Sequence, residues 1–144
     1  MKHDYAAIEG IEKLEAVYGD ALCFHDSEVV RVELIRGRSN EGEASLVLSI
    51  HLFAVEGVDH GVYRFGRHNV ATFQFDTIQE VQLEGFNHQN MLMDLSVAVL
   101  TPPQNGARYK VSLESGYGLG GTFNCYRIKL ISVSAGIPPG SSYS

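Results

Sequence analysis

The stretch Phe86-Asn87-His88-Gln89-Asn90-Met91 joins two runs of alternating apolar residues, and it organises the rest of the chain. Its four consecutive amide or imidazole side chains stand where the chain must turn. Uncharged polar side chains can hold the backbone of a turn, or they can present a recognition edge. A second polar group, His25-Asp26-Ser27-Glu28, opens the first predicted strand. The sequence leaves open whether these two groups shape the fold or form a binding site.

Apolar residues that alternate with a period of two predict about seven strands between residues 23 and 134. The run from Ala44 to Val55 has a fully apolar face and a partly apolar second face, which indicates a central strand covered on both sides. We expect loops at Gly37 to Gly42, at Glu56 to Gly61 and at the proline-containing Thr101 to Gly106. In the run from Met91 to Leu100 the residues expected to form one inward face are Met91, Met93, Leu95, Val97 and Val99.

The N-terminal segment has helical periodicity. Between residues 6 and 18 the apolar residues Ile8, Ile11, Leu14 and Tyr18 recur at steps of three or four, so we expect an amphipathic helix that lies on the sheet. Asp4 is the expected N-cap, and Gly19 is the expected left-handed residue after the last turn. Residues 136–144 are expected to form a flexible tail.

Together these patterns predict a single domain over residues 1–144 of the mainly β class. The expected architecture is an antiparallel β-sandwich or open barrel of about seven strands, with one N-terminal helix packed on it. A chain of 144 residues is long enough for one such core.

Composition and charge exclude several functional classes. The net charge is -6, and the first 33 residues hold most of the excess of acids. Since there is no run of lysine or arginine, nucleic acid is not expected as a partner, and the acidic first third favours a basic one. No apolar stretch reaches the roughly 18 residues that a membrane span needs, and no signal peptide is visible, so a cytoplasmic protein is expected.

The two cysteines, Cys23 and Cys125, lie far apart in the sequence and do not have metal-binding spacing. In a cytoplasmic protein both are expected to be buried free thiols, although a single bridge between them stays open.

Chemistry-bearing residues suggest a pocket but no reaction. His25, Asp26, Glu28, His51 and Asn87 could gather in one small-molecule or metal site, with His68 and His88 as further imidazoles. The spacing supports neither a metal nor a nucleophilic triad, so no cofactor, metal or catalytic residue is predicted. The alternative for this part of the chain is structural: Asp26 forms a turn, and His25 bonds to a backbone carbonyl.

Four blocks resemble a family of small bacterial immunity proteins, the Immunity protein 50 type. They are Phe24 to Val29, Ile50 to Phe53, Leu83 to Leu92 and Phe123 to Cys125. The family pattern has Phe-His-Asp-Ala-Glu-Val, a later Ile-His, and Phe-Asn-x-Gln-Asn-Val-Leu, and this chain has Ser27 and Met91 where that pattern favours alanine and valine.

The resemblance implies a non-enzymatic, stoichiometric binder of a co-encoded toxin. A basic toxin domain is the expected partner, and a homodimer formed through an open sheet edge is an alternative association. The residues predicted to bind are His25, Asp26, Glu28, His51, Asn87, Gln89 and Asn90.

Overall fold

The computed structural model describes residues 3–37 and 43–143, and within them nine strands form one large mixed sheet that is not closed. The strands are β1 (Ile8–Glu9), β2 (Glu28–Ile35), β3 (Ser45–Asp59), β4 (Val62–Asp76), β5 (Gln79–Glu84), β6 (Met91–Gln104), β7 (Ala107–Tyr117), β8 (Gly120–Cys125) and β9 (Arg127–Ala135). One α-helix, α1 (Glu12–Tyr18), and two 3-10 helices, Tyr5–Ala7 and Gly19–Ala21, precede β2.

The order of strands across the sheet is β1-β9-β4-β3-β2-β6-β7-β8-β5. Every neighbouring pair is antiparallel except β1 and β9. The sheet coils over its core, because Phe75 of β4 and Phe123 of β8 meet with their ring centroids 4.9 Å apart. The prediction of a mainly β fold is confirmed, but the described strands number nine rather than about seven. They form one sheet that is not closed, which does not decide between the predicted sandwich and the predicted open barrel.

Two long hairpins replace predicted loops. The loop expected at Glu56 to Gly61 is wrong, because β3 pairs with β4 as far as Asp59 and Val62. The intervening His60 and Gly61 both have positive φ, which suits a tight two-residue hairpin turn. The expected end of β6 at the prolines is also wrong. The prolines lie between Val99 and Gln104, where no ladder partners occur, so their missing N–H groups cost no ladder bond.

The other predicted turns shift as well. Tyr126 separates β8 from β9, so the last part of the predicted strand region forms two strands, and β9 continues to Ala135. The predicted loop at Gly37 to Gly42 lies, apart from Gly37, outside the described residues.

The N-terminal helix is shorter than the predicted 6–18. Gly10 has a φ of +87°, and a Cβ there would lie 3.2 Å from the carbonyl oxygen of Leu130, so the chain turns at Gly10 instead of continuing a helix. Asp4 does not cap α1; its carboxylate accepts a hydrogen bond from the backbone N–H of Val99. The predicted apolar stripe is confirmed, since Ile8, Ile11, Leu14 and Tyr18 are all buried, and Gly19 has the expected positive φ.

The core follows the sequence pattern in β3 and departs from it in β6. In β3 the predicted inner face of Leu46, Leu48, Ile50 and Leu52 is buried. In β6 the predicted inward face is confirmed for Leu95 and Val97, which are buried, but it is wrong for Met93 and Val99, which are 40% and 50% exposed. Leu92, which the pattern places on the other face, is fully buried. Register shifts on both sides of Leu92 reverse the alternation of its side chains.

The cysteines differ in their surroundings. Both are free thiols; Cys125 is buried as expected, but Cys23 is exposed. Burial raises the pKa of the Cys125 thiol to about 12. Among the described residues no helix has the length and apolar character needed to span a membrane.

Candidate functional site

The loop after β5 is held by one buried amide. The Asn90 Oδ1 atom accepts hydrogen bonds from the backbone N–H groups of Asn87 and Leu119, each at 3.0 Å. Its Nδ2 group donates to the carbonyl oxygen of Asn87 at 2.7 Å. The neighbouring turn approaches so closely that a Cβ on Gly118 would lie 2.4 Å from the carbonyl oxygen of Gln89. Asn90 therefore ties the β5–β6 loop to the β7–β8 turn.

Beside this loop, a buried carboxylate and two imidazoles cross three strands. Glu28 on β2 and His51 on β3 are ladder partners, and their side chains are 8% and 0% exposed. The Nδ1 atom of His51 donates to Glu28 Oε1 at 2.7 Å. His51 Nε2 lies 3.0 Å from Nδ1 of His68 on β4. In its neutral form His51 therefore accepts from His68 at one nitrogen while it donates to Glu28 at the other.

The remaining described partners of the Glu28 carboxylate come from the C-terminal segment. The Ser141 hydroxyl donates to Oε1. Ser142 donates to Oε2 through both its backbone N–H, at 3.0 Å, and its hydroxyl, at 2.8 Å. Burial favours the neutral acid, but the hydrogen bonds from Ser141, His51 and Ser142 outweigh burial and hold the pKa of Glu28 below its ordinary value of 4.5.

The imidazole at the far end of this chain also has a shifted pKa. Burial and the neighbouring His51 lower the pKa of His68 below its ordinary value of 6.5. The neutral form of His68 is therefore favoured in the folded protein.

An aromatic pocket formed by Phe53 and Phe65 adjoins the Glu28 carboxylate. The Tyr143 ring packs on Phe53 with centroids 4.2 Å apart and meets the Phe65 ring edge-on at 5.2 Å. Its hydroxyl donates to the carbonyl oxygen of Asp26 at 3.1 Å. Burial, with the nearby carboxylates of Asp26 and Glu28, raises the pKa of Tyr143 to about 12. Where the sequence predicts a flexible tail, the structure places these residues in specific contacts with the sheet.

A cleft of about 300 Å³ lies between the two polar groups of the sequence. Glu28 lines it together with the β5–β6 loop and the C-terminal segment, and Gln89 Nε2 bonds to the carbonyl oxygen of Gly140 across it at 3.3 Å. The residues around the cleft are Glu28, Val29, Val30, Phe86, Asn87, His88, Gln89, Asn90, Pro139, Gly140 and Ser141. Four predicted site residues, Glu28, Asn87, Gln89 and Asn90, are therefore brought together, and His51 supports them from beneath.

His25 and Asp26 do not line the cleft, although the Asp26 carbonyl oxygen accepts the hydrogen bond from Tyr143. His25 Nδ1 bonds to the carbonyl oxygen of Met93 at 3.0 Å, and Asp26 has a φ of +65° in an exposed turn, as the structural alternative predicts. Asp26 and Glu28 do not share one strand face, because β2 begins only at Glu28. Within residues 3–37 and 43–143 no group of three or more His, Cys, Asp or Glu side chains is arranged to hold a metal ion.

Sequence reasoning missed the occupants of the site. Ser141, Ser142 and Tyr143 follow two prolines and a glycine, a composition that carries no periodic signal. The sequence places Phe53 at the end of the block Ile50 to Phe53 but does not indicate that it contacts Tyr143. The surrounding Glu28 and His51 could be related only through the pairing of their strands, which the sequence does not show.

The acidic N-terminal surface is less uniform than its composition suggests. Glu9 forms a two-point ion pair with Arg127 of β9, with one contact of 2.7 Å between Arg127 Nη2 and Glu9 Oε1. Glu12, Glu15 and Asp20 are exposed on and after α1. These three carboxylates are the acidic surface that remains available to a partner.

Comparison with known proteins identifies a family. The sequence model described as Immunity protein 50 matches residues 10–136, which include α1 and strands β2 to β9. No curated protein and no solved structure matches the chain significantly. The matched region contains Glu28, His51 and the β5–β6 loop, and it ends just before the segment that covers them. The chain belongs to the Immunity protein 50 family.

Proposed function

We propose that this chain is a cytoplasmic immunity protein that binds a co-encoded bacterial toxin stoichiometrically and neutralises it without turnover. The observation that carries this proposal is the family match over residues 10–136. The geometry supports a binder, because the buried polar groups at the site are engaged in holding loops and strands together, as the Asn90 amide is.

The toxin-binding surface that we propose lies at the mouth of the cleft. Phe86 is 54% exposed and Val30 is 40% exposed, and both line the cleft with Asn87 and Gln89. Exposed apolar groups beside uncharged polar side chains are typical of the centre of a protein interface. His25 and Asp26 lie outside the cleft. Their predicted contact with the toxin, at the margin of the cleft, stays a prediction.

An open strand edge extends this surface. β2 pairs with β3 along its length, but its pairing with β6 is limited to Glu28 and Met91. Along the rest of β2 the second edge has no ladder partner among the described residues, and Leu34 there is 60% exposed. An extended segment of a toxin can add to such an edge through backbone hydrogen bonds.

Co-expression with the toxin encoded beside this gene tests the proposal. We expect the protein to restore growth of cells that produce the toxin, and to elute with it as a complex of fixed stoichiometry. Phe86→Ala should weaken the complex by about tenfold or more if Phe86 is an interface anchor. Tyr126→Ala is the matched control, because Tyr126 is 47% exposed but does not line the cleft.

Two results would contradict the proposal at different levels. Cells that remain poisoned, with no complex on a sizing column, would remove the immunity function. Equal weakening by Phe86→Ala and Tyr126→Ala would leave that function in place but remove the cleft as the binding surface.

A further inference from the structure

The Glu28 carboxylate forms an acceptor site that a short segment fills. Its oxygens accept one hydrogen bond from His51 and three from the consecutive residues Ser141 and Ser142. An ionised carboxylate has about four lone-pair positions, so this arrangement uses its capacity fully. His51 is fully buried and fixes the carboxylate from beneath, and the segment approaches from the open side.

Tyr143, which follows the two donor residues, occupies the aromatic pocket. Phe53 and Phe65 contact the Tyr143 ring on two sides, and His51 closes a third with its ring centroid 6.0 Å away. The Tyr143 hydroxyl also reaches the carbonyl oxygen of Asp26. The site therefore binds two consecutive hydrogen-bond donors followed by an aromatic ring that carries a hydroxyl.

The segment that fills the site belongs to no strand of the described sheet. Gly136 and Gly140 have φ values of +127° and +79°, and Pro138 and Pro139 separate them. The segment leaves β9 at Ala135, so it can detach without breaking any strand pairing. The family match ends at residue 136, which places the pocket inside the matched domain and its occupant outside it.

We infer that the Glu28–His51 pocket is a peptide-recognition site, and that Ser141-Ser142-Tyr143 is its resident intramolecular ligand. Its ligand class is a segment with two adjacent hydroxyl- or N–H-donating residues followed by tyrosine. A partner segment of this chemistry binds by displacing residues 141–143 from the pocket. This inference does not depend on the identity of any toxin.

The test is to supply the segment as a separate peptide. The receptor is the full-length triple variant Ser141→Gly, Ser142→Gly, Tyr143→Ala, whose own segment lacks the recognised side chains. The probe is a fluorescently labelled peptide with the sequence of residues 137–144, followed by anisotropy. We expect it to bind the triple variant at least tenfold more tightly than the wild type, because the tethered segment competes at high effective concentration.

Substitutions identify the site of binding. In the triple variant, Glu28→Gln should weaken peptide binding at least tenfold, and a peptide with alanine in place of tyrosine should bind at least tenfold more weakly. Tyr126→Ala is the matched control, since Tyr126 is an exposed aromatic residue that does not line the cleft, and it should leave binding unchanged. If the triple variant does not fold, as judged by circular dichroism, the single variant Tyr143→Ala serves as the receptor.

Equal peptide binding by the wild type and the folded variant would overturn the inference, as would equal binding of a scrambled peptide or no binding up to millimolar concentration. Light scattering tests the intramolecular assignment. In one outcome, the wild type doubles its mass as the concentration rises while the triple variant remains a monomer. That result would show exchange of the segment between copies, and it would overturn the assignment of an intramolecular ligand.

Discussion

Replacement of Asn90 by alanine should show that this buried residue of the polar loop stabilises the fold, whereas the exposed residues of the loop contribute little to stability. The Asn90 amide is the junction of two loops: it accepts from Asn87 and Leu119 and donates back to Asn87. A fourth contact, to the carbonyl oxygen of Val29, is 3.5 Å long and contributes little. Asn90→Ala removes all of these partners at once and offers no replacement.

The expected cost follows from the burial of the groups that lose their partners. Leu119 is 2% exposed, and leaving its N–H without a partner should cost about 1–3 kcal/mol. The two backbone groups of Asn87 are part-buried and can reach water, so each should cost about 0.5–1.5 kcal/mol. Together these losses amount to about 4 kcal/mol of unfolding free energy, within a range of about 2–6 kcal/mol.

Urea denaturation measures this difference. With an m-value of about 2 kcal/mol per molar urea, a loss of about 4 kcal/mol lowers the midpoint by about 2 M. Asn87→Ala is the matched control, because Asn87 is exposed and its own side chain makes only local bonds to Gln89 and Gly85. We expect the control to cost less than about 1 kcal/mol.

Asn90→Asp refines the comparison. It retains the acceptor for Asn87 and Leu119 but replaces the donor by an oxygen that faces the Asn87 carbonyl, so its midpoint should lie between those of the wild type and Asn90→Ala. A midpoint shift for Asn90→Ala of less than about 0.5 M, or one no larger than that of Asn87→Ala, would refute the reasoning.

Two further predictions concern charge. Glu28→Gln should reduce the loss of stability that the wild type shows below about pH 5. The pKa of Glu28 in the folded protein lies below 4.5, so the ionised carboxylate stabilises the fold above that pH. This contribution to the unfolding free energy is lost as the pH falls through the lowered pKa. Urea midpoints measured against pH check this, and parallel curves for the two proteins would contradict it. The double reversal Glu12→Lys, Glu15→Lys should slow association with a basic toxin by about tenfold at low salt, and the rates should converge at high salt. Stopped-flow rates measure this effect. The charge-matched control is Glu80→Lys, Glu114→Lys, because both residues are exposed and lie outside α1 and the cleft lining. Equal slowing by both pairs would remove the acidic surface from the model.

Local patterns predicted the features that neighbouring residues decide. The alternation in β3 identified its buried face, because successive side chains of an unbroken strand point to opposite sides of the sheet. The same rule failed in β6, where register shifts beside Leu92 reverse the alternation and leave Met93 exposed. Such irregularities are set by how a strand pairs with its neighbours, and its own residues carry little signal of them.

The site shows the same division. The amide and imidazole run from Asn87 to Asn90 could be assigned to a turn, and Glu28 and His51 could be named as candidates. Their different roles depend on contacts between distant parts of the chain. The Asn90 amide is buried because the β7–β8 turn meets it, and Glu28 is buried because residues 141–143 cover it.

The sequence by itself determined the mainly β class, the inner face of β3, the apolar stripe from Ile8 to Tyr18, and, through the blocks around Glu28 and Asn90, the family. These features depend on side-chain periodicity and on short motifs, which are local properties of a chain. The tertiary structure alone decided the single nine-stranded sheet of the described residues, the chain of hydrogen bonds from Glu28 to His68, and the docking of Tyr143 on Phe53. Each of these joins residues far apart in sequence, and strand order and register bring them together only when the whole sheet has formed.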